Sequence, residues 1–298
     1  MRLATIHNNG LEEAALVTTS GMLPLAAINR ACGTAWSSSL FELIRSGQLE
    51  EFSAWARGEG RERLAALETQ ALAMDSVRFA PLYRQPGKIW GIGLNYREHA
   101  GDLDAPVPSG APASFMKPTT TIIGPGDTVE IPLLSERTTA EAELGVIIGK
   151  RCRNVSIEEA PAVIAGFTTI IDMTAEDILQ RNPRYLTLSK SFDTFFSFGP
   201  QLVTPDEVAD VEALEVATVL NGRVHRQNRV ANMTFHPDQL IAFHSQVMTL
   251  LPGDVISTGT PGAVVIGEGD RVECRIGGFA PLANRVVDLK KHQKGETP

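Results

Sequence analysis

Apolar residues run in two short β-like stretches, Arg2 to Ile6 and Ala14 to Thr18, with a polar turn between them. From Ser38 to Met74 the spacing becomes helical. Leu40, Phe41, Leu43 and Ile44 follow two serines, Ser38 and Ser39, either of which can cap a helix; Trp55 and the Leu64/Leu67 pair mark later turns. The stretch FAPLYRQPGK, with Pro81 and Pro86, reads as a linker. Beyond Lys88 the apolar runs are short and β-like: Ile89 to Gly93, Thr121 to Ile123, Glu141 to Ile148, Gly166 to Ile171, Glu215 to Leu220, Val255 to Thr258, Arg271 to Ile276 and Val286 to Leu289. Helices are expected near Ser156 to Val163, Ala175 to Gln180 and Pro237 to Met248, and Asn221-Gly222 is a hairpin signal. The pattern predicts an α+β fold, mainly β, with a small N-terminal α+β domain over residues 1–75, a linker over 76–87, a barrel-like or rolled sheet domain over 88–290 and a frayed polar tail over 291–298.

The stretch TTAEAELGVIIGK sets two carboxylates, Glu141 and Glu143, two residues apart on a strand that runs into the core. Side chains at i and i+2 share a face, so the pair repels unless something positive lies between. Either this is an E-x-E on a solvated strand face, or it is half of a cation site. Asp172 closes the next apolar run, GFTTIIDMTAEDIL. It is placed to be a third ligand or a helix cap, and Thr174 with Asp177 already makes a capping pair. Oxygen ligands favour Mg²⁺, Mn²⁺ or Ca²⁺ over zinc.

Further candidates lie on both sides. His99 and Asp102 share a face if their segment is helical, as a general base and its orienter would. The Pro- and Gly-rich residues after them form either a passive loop or a lid reaching to Ser114. Lys117 and Lys190 sit among apolar and aromatic residues. Each either pairs with a structural carboxylate or faces an anionic ligand. In the Gly-Thr-Pro-Gly turn, the backbone at Gly259 and the Thr260 hydroxyl are positioned to hold an anion. Phosphate-loop, dinucleotide and nucleophile-elbow motifs are absent.

Composition narrows the classes. The 298 residues carry a net charge of −8, and the pI is about 5.3, which argues against nucleic acid or an anionic membrane as partner. An acidic protein that takes an acidic substrate must neutralise it locally. Three scattered cysteines, Cys32, Cys152 and Cys274, read as reduced thiols of a cytoplasmic protein. No signal-peptide core opens the chain, and no apolar run approaches the roughly 20 residues of a membrane span.

In order along the chain, GLNYREHA, FMKPTTTIIGPGD, EAELGVIIGK, the Asp172 segment, KSFDTFFSFGP, LNG and LLPGDVISTGTPG resemble the fumarylacetoacetate hydrolase superfamily, with the acylpyruvases the nearest type. The resemblance runs from Lys88 to about Leu289. It implies a rolled mixed β core, a homodimer, and a Mg²⁺ or Mn²⁺ site at Glu141, Glu143 and Asp172. It also implies a catalytic His99 with partner acid Asp102, an active-site Lys190, and substrate contacts at Lys117, Gly259 and Thr260. The helix after Asp172 departs from the family pattern: Glu176 stands where many members have Arg, and Leu179 where they have Gln, with Gln180, Arg181 or Arg184 as replacements. The implied activity is cleavage of a C–C bond in a 2,4-dioxo acid such as an acylpyruvate or fumarylpyruvate, through a stabilised enolate. The alternatives are decarboxylation or keto–enol isomerisation of a small 2-oxo acid, oxaloacetate-like or 2-hydroxyhepta-2,4-diene-1,7-dioate-like, or a weakly active metal-binding homologue.

Overall fold

The computed structural model describes residues 1–97 and 109–292. His99, Asp102 and most of the expected lid lie outside the described residues, as does the tail from residue 293; Lys291 and His292, assigned above to that tail, close the helix Leu289–His292.

Two sheets make the body. Thirteen strands form the larger and five the smaller, and among the described residues neither closes into a barrel. The centre of the large sheet is an antiparallel pair, Thr138–Ile148 against Ile164–Ala175. Both run longer than their apolar stretches suggested. Hydrogen bonding to a neighbour sustains a strand through Thr138, Thr139 and Thr174 as well as through valine and isoleucine, because β-branched threonine suits the pleat. Asp172 is therefore inside its strand and not at its end. Thr174 lies in that strand too and does not cap the next helix, whose N-cap residue Ala175 makes no side-chain cap bond. Ser156 to Val163, expected as an α-helix, is a turn followed by a short 3-10 helix, Ala160–Val163, which Pro161 can open but not extend backward.

Alternation along the central pair divides its two faces. Ala140, Ala142, Leu144, Val146 and Ile148 point into a core shared with the five-stranded sheet, where they meet Val216, Val272, Cys274 and Val286. The opposite face carries Glu141 and Glu143, then Gly145, then Ile147, which enters a second core built by the N-terminal segment. Leu25, Ile28, Leu43, Ile44 and Phe52 fill that second core, with Trp36 packed edge-on to Phe52 at 5.5 Å between ring centroids. The N-terminal strand Arg2–Asn8 pairs with Gln201–Val203, so the first residues extend the large sheet. Ser39 caps its helix as expected, accepting from the Glu42 amide. Asn221 and Gly222 turn the hairpin with φ of 50° and 80°, the left-handed pair that such a turn requires.

Close packing at the base of the central pair rests on Gly166. A Cβ there would lie 2.6 Å from the Val203 carbonyl oxygen and 3.1 Å from Leu202 Cδ1. The Gly166→Ala variant is expected to lose about 1–3 kcal/mol of stability, the usual cost of overpacking. Its denaturation midpoint should fall while the folded protein keeps its divalent-metal affinity.

Candidate active site

The register of the central pair builds the site. Glu141 is the cross-strand partner of Asp172, and Glu143 lies one rung further in, opposite Ile170. Cross-strand partners share a face, so the three carboxylates meet on one side of the sheet. Their oxygens approach one another within 4.8 Å. All three are buried, with relative exposures of 9% for Glu141, 1% for Glu143 and 0% for Asp172.

Two ammonium groups enter this cluster. Lys117, from the edge strand Ala113–Lys117, donates to Asp172 Oδ1 at 2.5 Å and to the Met173 carbonyl at 3.2 Å. Lys190, at the end of the helix Leu186–Lys190, bridges Glu141 Oε2 and Asp172 Oδ2, each at 2.7 Å. Its Nζ also lies 4.6 Å from the centroid of the Phe115 ring, a cation–π contact in a dry environment. Gly91 makes room for that ring, because a Cβ there would lie 2.2 Å from Phe115 Cζ. Of the two readings open for each lysine, pairing with a carboxylate is what the structure contains.

The remaining donors fix individual oxygens. Ser257 Oγ and the Gly259 amide both donate to Glu143 Oε2, at 2.5 and 2.8 Å. Thr174 Oγ1 donates to Glu141 Oε1 at 3.2 Å. The Gly259 amide is thus engaged by a carboxylate of the protein itself. Thr260 is buried and closes its own turn, bonded to the Gly262 carbonyl and amide at 3.2 Å.

The charges do not balance: three carboxylates face two lysines. Burial, then the negative charges of Asp172 and Glu141, push the Glu143 carboxyl up to about 8, against the opposing pull of Lys190 and Ser257. Burial pulls Lys117 down to about 8; Asp172 resists this and Lys190 adds to it. Burial also acts downward on Lys190, but Asp172, Glu141 and Glu143 together outweigh it and hold that ammonium above its ordinary range. With Glu143 deprotonated the cluster is short of positive charge, and its donors are oxygens suited to a hard divalent cation. Glu141, Glu143 and Asp172 fit that role. No other group of three or more metal-ligating side chains is found among the described residues.

The helix Glu176–Arg181 follows directly. Glu176 accepts from Arg137 Nε at 2.6 Å and from Gln180 at 3.0 Å, while Arg181 pairs with Asp177 at 3.3 Å. The cation that meets Glu176 is therefore Arg137 and not Arg181. Arg137 was not among the sequence candidates; it immediately precedes the strand Thr138–Ile148.

Residues 88–287 match the family model of the fumarylacetoacetate (FAA) hydrolase C-terminal domain. The chain is 38% identical over 234 residues to a mitochondrial oxaloacetate tautomerase of Homo sapiens, covering 76% of this chain and 74% of that one. Among solved structures it is similar to maleylpyruvate hydrolase from Sphingobium sp. SYK-6 in complex with manganese(II) and pyruvate, with a TM-score of 0.76, 27% identity and coverage of 97% and 99%. It is also similar to 2-hydroxyhepta-2,4-diene-1,7-dioate isomerase from Mycobacterium marinum, with a TM-score of 0.72, 27% identity and coverage of 97% and 98%. The chain belongs to the fumarylacetoacetate hydrolase family. The manganese in the Sphingobium structure and the acidic cluster here together support a divalent metal. No helix among the described residues is long and apolar enough to cross a membrane.

The raised Glu143 carboxyl gives a signed pH dependence. Its folded value lies above the ordinary 4.5, so its contribution to metal-free stability is present below that value and is lost as pH rises toward about 8. A cation binds the deprotonated form. Mn²⁺ affinity should therefore weaken by up to about tenfold per pH unit below 8, and the thermal shift that Mn²⁺ produces should be larger at pH 8 than at pH 6. Calorimetry in buffers of different ionisation enthalpy should read about one proton released per ion near pH 7, and less in Glu143→Gln.

Proposed function

We propose that this protein is a Mg²⁺- or Mn²⁺-dependent enzyme that hydrolyses a C–C bond of a 2,4-dioxo acid, an acylpyruvate-like substrate, by way of its enolate. The observation that carries this reading is the buried group of three carboxylates and two lysines, which needs a cation and offers positive charge to an anionic substrate. Glu141, Glu143 and Asp172 would hold the ion. When bound, it supplies a Lewis acid for a carbonyl oxygen of the substrate.

The chain's own groups supply the rest. Lys190 is held charged between Glu141 and Asp172, so its field is in place before negative charge develops on the substrate, with no reorganisation needed during reaction. Lys117 and Thr174 fix the outer oxygens of Asp172 and Glu141. Phe115 and Phe195, beside the two ammonium groups, exclude water and strengthen both attractions. His99, oriented by Asp102, takes the proton of the attacking water in this reading. The reading also includes a homodimer in solution, for which light scattering should give twice the 32.2 kDa chain mass.

A second reading, keto–enol tautomerisation of a small 2-oxo acid, is favoured by the similarity to the human oxaloacetate tautomerase. It uses the same cation and the same lysines but no attacking water. Product analysis separates the two. Acylpyruvate incubated with Mn²⁺ should yield pyruvate and the free acid. Enol–keto exchange of oxaloacetate without cleavage of acylpyruvate would favour the second reading, and turnover of neither would leave a metal-binding homologue. His99→Ala should keep Mn²⁺ affinity and lower hydrolysis by about 10²–10⁴-fold. Asp172→Asn should lose both; asparagine is chosen over alanine because it leaves a polar acceptor for two buried ammonium groups. Equal loss of Mn²⁺ affinity in the two variants would remove His99 from the role of base.

A further inference from the structure

The Gly-Thr-Pro-Gly turn contributes one amide to the carboxylate cluster, and the groups behind that amide can be traced. Ser257 ends the strand Val255–Ser257. Thr258 is tied to the central strand by its amide and its hydroxyl, which donate to the Leu144 carbonyl at 3.1 and 2.8 Å. The next peptide joins Thr258 to Gly259. Its N–H donates to Glu143 Oε2 at 2.8 Å. Its carbonyl oxygen accepts from Asn95 Nδ2 at 2.7 Å. The two groups belong to one planar unit, so a hold on the carbonyl is also a hold on the amide.

Asn95 is itself fixed from several sides. It is 1% exposed. Its Oδ1 accepts from the Phe235 amide at 2.9 Å, and its Nδ2 donates to the Phe235 carbonyl at 2.9 Å. Its own backbone carbonyl accepts from the Thr234 amide at 2.7 Å. Two carbonyl acceptors on one side and an N–H on the other settle which way the carboxamide points, and both Nδ2 hydrogens are used. Gly259 permits the close approach: its φ is 99°, and a Cβ there would lie 2.8 Å from Asn95 Cβ. Glycine also leaves the peptide before it free to turn over. Turned over, the Thr258 carbonyl would face Glu143 and set oxygen against oxygen in a buried place. The Asn95 bond opposes that flip. It also polarises the peptide it holds, which strengthens the bond from the Gly259 amide to the carboxylate.

We infer that Asn95 is a positioning residue for Glu143, acting through the Thr258–Gly259 peptide. It keeps the N–H of that peptide on Oε2, beside the Ser257 hydroxyl that donates to the same oxygen, so that Oε1 is the oxygen presented to a cation. This rests on the metal site proposed above and deepens it. The plainer role for Asn95 is a staple between the 94–96 and 233–235 segments, which meet again in the bridge between Tyr96 and Met233. A staple would affect stability without touching the Glu143 end of the site.

One resonance and one affinity separate these roles. Thr258-Gly259 is the only Thr-Gly pair in the sequence. Intact protein labelled with ¹³C at threonine carbonyls and ¹⁵N at glycine therefore gives a single amide signal in a carbonyl-correlated spectrum. Bonded to a carboxylate, that amide proton should lie downfield of the ordinary range. Asn95→Ala should move it upfield and weaken Mn²⁺ binding about tenfold, the lower end of what loss of a ligand-orienting group costs. Asn95→Asp is nearly isosteric but turns an acceptor toward the Thr258 carbonyl, so it should weaken Mn²⁺ binding further. Asn95→Ser, which keeps a hydroxyl donor, serves the same comparison if alanine does not fold. Asn284 is another buried asparagine that donates to two carbonyls, those of Gly124 and Asp127. Asn284→Ala should lower the melting temperature and leave the signal and the Mn²⁺ affinity unchanged. A wild-type signal in the ordinary range, an unmoved signal in the Asn95 variants, or Mn²⁺ affinity in them no weaker than in Asn284→Ala would overturn the inference and leave the metal site standing. Failure of the wild type to bind Mn²⁺ would overturn the metal site on which the inference rests.

Discussion

Everything around the site answers one electrostatic constraint: three carboxylates are forced together in the protein interior by strand register. Glu141 and Asp172 are partners across an antiparallel pair, and Glu143 follows two residues on. None of the three can move away without shifting the register of the strands at the centre of a thirteen-stranded sheet. A one-residue slip would exchange the carboxylates with Ala140 and Ala142 and put charge into the core between the sheets. The fold therefore holds like charges in place and neutralises them. Two lysines, a serine, a threonine and a backbone amide are the groups that do so, and they come from four separate segments of the chain.

The two lysines are unequal, and the inequality has a geometric cause. Lys190 sits between two carboxylates and feels a third; Lys117 is bonded to one and repelled by Lys190. Similar burial thus leads to opposite results, one ammonium held charged and the other loosened. With two lysines, the site is one positive charge short when Glu143 is ionised, and a proton on Glu143 makes up the difference below about 8.

The two-residue periodicity made part of this legible in the sequence. E-x-E had to share a face, and a third carboxylate in the neighbouring apolar run was a natural partner. What the sequence could not supply was register, because nothing local to Glu141 says which residue of another strand lies opposite it. For the same reason the strand ends were misjudged. Thr138 and Thr174 belong to strands only because each has a partner, and Thr174 serves Glu141 instead of a helix. Lys117 and Lys190 stood out as lysines in apolar surroundings, but their acceptors are 55 and 18 residues away and only folding joins them. Arg137 was overlooked because it precedes the apolar run, where a charged residue looks like an ordinary strand end.

The N-terminal segment then acquires a reason to be where it is. Ile147 and Ile170 continue the carboxylate face inward and enter the core formed by Leu25, Ile44 and Phe52. That core closes the inner end of the face against water. A charge cluster open at both ends would be screened, and its field on a substrate would weaken accordingly. Arg137 and Glu176 lie at the other end of the face, beyond Thr139 and Thr174. Along the face Glu143 is less exposed than Glu141, Thr139 is buried again, and Arg137 is exposed. The same sheet thus separates a dry inner end that sets the strength of the electrostatics from an outer end where residues can vary without disturbing the carboxylates. A charge exchange such as glutamate at position 176 is tolerable there, because Arg137, just before the adjoining strand, is within reach to balance it.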